Sequence, residues 1–143
     1  MTEQIATFGV HLMVDGYEAD PARLADFAAL EAMLLEIPAK LKLHAMSEPL
    51  VVEVGPMNPR DPGGISGVVL IAESHIGFHT FPARGFVTSD VYTCQPDLDC
   101  DHVTALLKEA FGIGSMDLHL VKRGTGYPSE DIHPAIDDIA ALG

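Results

Sequence analysis

A chain of 143 residues with 48% hydrophobic and only 20% charged side chains suits one globular domain and is too apolar for disorder. Eight basic against 21 acidic side chains leave a formal net charge of −13, which repels phosphate backbones, disfavours nucleic acid as a partner and favours cationic ligands. The longest apolar run, Gly67 to Ala72, is far short of a membrane span, and the acidic opening MTEQIATFGVHLMVDGYEAD has no basic n-region, so no signal peptide is read and the cytosol is expected.

In chain order, Ile5 to Val14 reads as a strand closed by a turn at Asp15-Gly16. Asp20 and Pro21 form a helix start, cap then first position. From Ala22 to Ile37, Leu24, Phe27, Ala28, Leu30, Leu34 and Leu35 recur at helical spacing as one buried face, and Pro38 ends or kinks the helix. Glu48 to Val54 is β-like. The next ten residues, GPMNPRDPGG, hold three prolines and three glycines and read as a loop. Ser66 to Ala72 and Ile76 to Phe81 read as strands meeting near Glu73-Ser74, with Gly85 to Thr93 as the next. Asp99 to Phe111 is a second helix, with Val103, Leu106, Leu107 and Ala110 inward and glycines past its end. Met116 to Val121 is a last strand, followed by an irregular tail. Hairpin-spaced strands between two helices predict a single α+β domain over 1–143, a two-layer sandwich of an antiparallel sheet with helices on one face. Its other face stays uncovered, which makes a homodimer the natural partner.

Residues 72–94, AESHIGFHTFPARGFVTSDVYTC, carry Ser74, His75, His79 and Cys94 within β-like sequence. Each alone has a plain structural reading: a turn serine, satisfied core or interface histidines, a small buried thiol. A serine or cysteine triad lacks a G-x-S-x-G elbow and an evident orienting acid. Zinc on His75, His79 and Cys94 would need two histidines four apart to converge from a strand, and the two cysteines, Cys94 and Cys100, fit no common zinc spacing, so no metal is expected.

The run ISGVVLIAESHIGFHTFPARGFVTSDVYTC resembles the core signature of the prokaryotic S-adenosylmethionine decarboxylases. It matches without a gap at Ser66-Gly67-Val68-Val69, Glu73-Ser74-His75, His79-Thr80, Pro82, Gly85, Asp90 and Thr93-Cys94. Weaker likeness extends to FGVHLMVDGYEAD and to Lys122-Arg123-Gly124. The resemblance implies a proenzyme that cuts itself between Glu73 and Ser74, giving a β chain of residues 1–73 and an α chain of 74–143. Ser74 then becomes a pyruvoyl group, with Ser66 and His79 assisting and His79 as the base. It further implies Cys94 as the proton donor in decarboxylation, no metal, and an αββα dimer with its active sites near the contact. A substrate amine would condense with the pyruvoyl ketone, which serves as electron sink.

Glu73, Phe81 and Arg60 are the candidate substrate contacts. Arg60 stands where the family stacks an aromatic ring on adenine, and a guanidinium retains a planar face for stacking. Two further readings go with this one: a pyruvoyl-dependent decarboxylase of a basic amino acid such as arginine or ornithine, and a family member that folds without processing.

Overall fold

The alternating run after Gly64 lies within a six-stranded antiparallel sheet in the computed structural model of the chain, which describes residues 7–95 and 97–134. The elements are β1 (Gly9–Tyr17), α1 (Pro21–Leu24), α2 (Phe27–Lys40), β2 (Leu50–Val54), β3 (Gly64–Ile71), β4 (Ser74–Phe81), β5 (Phe86–Thr93), α3 (Cys100–Phe111) and β6 (Ser115–Arg123). Strand order is β2-β3-β4-β5-β1-β6, and every neighbouring pair is antiparallel. Among the described residues no helix is long and apolar enough to cross a membrane.

Strand alternation divides the sheet into two unlike faces. Leu12, Val14, Val69, Ile76, Phe78, Val87 and Val91 turn toward the helices and are buried with Leu30, Leu34, Leu107 and Phe111. Phe111 is fully buried against Phe78, their rings 5.4 Å apart. Phe111→Ala should therefore cost about 3–5 kcal/mol, read as a lowered denaturant midpoint. The opposite face carries Leu50, Val52, Leu70 and Val121, which are exposed, together with His11, His75, His79 and Asp90.

Several boundaries differ from the sequence reading. Asp15-Gly16 is not a turn: β1 runs through it to Tyr17. A Cβ on Gly16 would lie 2.8 Å from Ile113 Cδ1 and 2.9 Å from Val87 Cγ1, so this glycine serves close packing within a strand. The first helix is two helices, because Asp26 Oδ1 accepts from Ala29 N at 3.1 Å and starts α2 afresh. Pro38 lies buried inside the last turn of α2, which runs two residues beyond it. Ala28 and Leu35 are exposed, since the buried stripe follows Leu30, Leu34 and Ile37 at spacings of four and three. In α3, Val103, Leu107 and Phe111 are buried while Leu106 and Ala110 are partly so. Ile5 and Ala6 lie outside the described residues.

Candidate active site

A two-residue connection, Ala72-Glu73, joins β3 to β4, with Ile71 paired to Ser74. Glu73 occupies the left-handed region at φ 60°, which glycine fills most readily. Holding a glutamate there costs about 1–2 kcal/mol. The strained residue supplies the carbonyl of the Glu73–Ser74 bond. Ser74 is 8% exposed, and its hydroxyl donates to the Glu73 carbonyl oxygen at 2.7 Å. The hydroxyl is thus held against the carbonyl of the Glu73–Ser74 bond. Cys94, just past β5, donates its thiol to the Ala72 carbonyl at 3.8 Å, so the cysteine sits at the same turn. Cys100, at the start of α3, has its thiol pushed up by burial and then by Asp101 and Asp99.

Ser66 and His79 form a second cluster. They face each other across β3 and β4, with Ser66 Oγ 2.7 Å from His79 Nδ1, which makes the serine and imidazole a ready donor–acceptor pair. A shallow hollow of about 370 Å³ opens beside them, lined in part by Leu50, Val52, Val68 and Gly77. Within one copy this pair cannot touch Ser74. His79 is five residues along the same strand, roughly 17 Å away at about 3.4 Å per residue.

A third cluster lies between the two and was not assigned a role from the sequence. Asp90 Oδ2 is 2.7 Å from His11 Nε2 and 2.8 Å from His75 Nε2. Arg123 Nη1 donates to His11 Nδ1 at 3.4 Å, and its guanidinium carbon lies 4.1 Å from the centre of the Tyr92 ring. Four strands contribute: β1, β4, β5 and β6. The donor atoms of His11, His75 and Asp90 lie within 4.8 Å of one another, but both imidazoles point at one carboxylate oxygen at hydrogen-bond distance. The arrangement is a hydrogen-bonded chain. The zinc set weighed from sequence does not assemble, since His79 is engaged by Ser66 and His75 by Asp90. The signal for the third cluster is strand register, which places His11 opposite Tyr92 and Gly77 opposite Asp90.

Of the remaining candidates, Phe81 stands two residues beyond His79 with its ring 5.8 Å from Phe86. Arg60 is exposed on the loop between β2 and β3, where its backbone N–H donates to Asn58 Oδ1 at 2.8 Å. The loop is tied down by Arg84, whose Nη2 donates to the Pro59 carbonyl at 2.8 Å.

The chain as a whole is similar to known proteins. A family model described as S-adenosylmethionine decarboxylase matches residues 10–124. An S-adenosylmethionine decarboxylase proenzyme of Pyrococcus furiosus is 33% identical over 118 residues, 82% of this chain and 80% of the relative. One from Symbiobacterium thermophilum is 30% identical over 141 residues, covering 96% and 92%. The crystal structure of the adenosylmethionine decarboxylase from Aquifex aeolicus superposes with a TM-score of 0.70 at 25% identity, covering 90% of this chain and 99% of that one. The match spans all six strands and all three side-chain clusters, and on this ground the chain belongs to the S-adenosylmethionine decarboxylase family.

Proposed function

We propose that the chain is a pyruvoyl-dependent S-adenosylmethionine decarboxylase, made as a proenzyme that cuts itself between Glu73 and Ser74. The observation that carries this reading is the Ser74 hydroxyl 2.7 Å from the Glu73 carbonyl oxygen, beside a residue held at φ 60°. Attack by Oγ on that carbonyl carbon forms the ester as the C–N bond breaks, and the freed turn relaxes. A base then removes the Ser74 Cα proton, the Glu73 carboxylate leaves, and water completes the ketone as ammonia departs. That ketone is the electron sink for decarboxylation of a bound amino acid. Cys94, at the same turn, returns the proton to the substrate carbon.

The base is His79 of a second copy. The uncovered sheet face carries exposed Leu50, Val52, Leu70 and Val121, apolar surface that a face-to-face dimer would bury. A two-fold axis lying between the faces and perpendicular to β4 brings the Ser74 end of one copy over the Ser66–His79 end of the other. The hollow beside His79 then receives the partner's turn and the substrate. The family's αββα dimer is the arrangement this implies.

Mass spectrometry of the purified chain should give fragments 1–73 and 74–143, the second starting with a carbonyl that phenylhydrazine labels. Carbon dioxide release should follow S-adenosylmethionine and not arginine. An intact chain, or release from arginine alone, would overturn the reading. Cys94→Ala should cleave normally yet lose turnover at least about 100-fold, the usual scale for a missing general acid.

A further inference from the structure

Resting on the proposed function, we infer that His75 is the general base that takes the proton from the substrate's ammonium group, held to that task by Asp90 and His11. An amino acid carries its amine as ammonium at neutral pH, so the nitrogen lone pair needed for attachment to a ketone must first be uncovered. The other groups near the turn are committed. Cys94 is the proton donor, His79 serves the processing step from the far end of β4 beside Ser66, and Asp90 Oδ2 already faces two imidazoles.

The hydrogen-bond network assigns the tautomers. A guanidinium only donates, so Arg123 at 3.4 Å makes His11 Nδ1 an acceptor and leaves the hydrogen of neutral His11 on Nε2. An ionised carboxylate only accepts, so His75 also carries its hydrogen on Nε2, donated to Asp90. Neutral His75 therefore presents a bare Nδ1, and among the described residues no hydrogen bond engages that atom. This is the logic by which a carboxylate orients a histidine base in hydrolytic triads, with the two ring nitrogens exchanged.

His75 is one peptide unit from the position 74 carbons, on the open face, with its side chain 33% exposed. The transfer is a simple one: the substrate N–H bond breaks, an Nδ1–H bond forms, and nothing is oxidised or reduced. Asp90 and His11 are positioning residues. The titratable and charged groups against His75 are Asp90 and Tyr92 from β5 and His11 from β1, with Arg123 of β6 one contact further out, on His11 and Tyr92.

Nitrogen-15 NMR of the imidazoles tests the assignment without turnover. His75 should show hydrogen on Nε2 and a bare Nδ1 in the Ser74→Ala chain, and Asp90→Asn should abolish that preference. Cyanoborohydride capture of S-adenosylmethionine tests the chemistry, with carbonyl content measured separately by phenylhydrazine. At carbonyl content equal to the unmodified protein, His75→Gln should capture about 100-fold more slowly and Asp90→Asn at least about tenfold. Added imidazole should restore capture in His75→Ala. If a His75 variant fails to cleave, Asp90→Asn carries the comparison. Capture at the unmodified rate with full carbonyl, or hydrogen found on Nδ1 of His75, overturns the inference. Absence of the carbonyl from the unmodified protein would instead overturn the function on which it rests.

Discussion

Ser74→Ala is expected to leave a single 143-residue chain that binds no phenylhydrazine and releases no carbon dioxide, with folding stability close to that of the unprocessed parent. The loss should be complete because in the proposed reaction the hydroxyl is both the nucleophile and the group whose departure creates the ketone. No neighbour can replace it: Cys94 Sγ is directed at the Ala72 carbonyl, one residue away from the bond to be cut. The folding cost should be small because the hydroxyl bonds only to the adjacent carbonyl and no ladder bond depends on it. Alanine fills nearly the same volume at a site 8% exposed. Thermal unfolding by circular dichroism, beside intact mass, separates the two effects. Cleavage persisting in Ser74→Ala would place the nucleophile elsewhere and end the proposal.

How much of this was legible in the sequence depends on whether a feature is local. The cap at Asp20 and the strands over Ser66 to Ala72 and Gly85 to Thr93 are set by neighbours within a few residues, and they stand as read within a residue or two; Asp99, read as the first residue of the second helix, is its cap. Gly16 was misread because a glycine beside an aspartate has the same local appearance in a turn as in a strand crowded by Ile113 and Val87. Pro38 reads as ending or kinking the helix; the helix runs two residues past it, because one lost N–H near the end of a helix is tolerated when the ring is buried. Among site residues, the Ser74 turn was visible as a hairpin junction. The His11–Asp90 contact was not, since it joins residues 79 apart in sequence and requires the register of β1 against β5. Closeness in sequence was itself misleading for Ser74 and His79, because five residues of extended chain separate groups that the same interval on a helix would bring within about 8 Å.

That separation generates the sharpest test of the dimer. Ser74→Ala and His79→Ala chains made separately should both remain intact, one without the nucleophile and one without the base. Made together with distinguishable tags, they should form mixed dimers in which the His79→Ala chain keeps its serine and receives an imidazole from its partner. Only that chain can be cut. With equal amounts and random pairing about half of the His79→Ala chains meet such a partner in a two-fold dimer, so about half of them should yield the 74–143 fragment, while every Ser74→Ala chain stays whole. The asymmetry between the tags is the decisive readout, because partial refolding or a contaminating protease would cut both. If the mixed dimers assemble and neither chain is cut, Ser66 and His79 do not act across the interface, and a rearrangement bringing β4 residues together within one copy would be required. The strand pairing of Ser66 with His79 and of Ile71 with Ser74 forbids such a rearrangement without breaking the β3–β4 ladder.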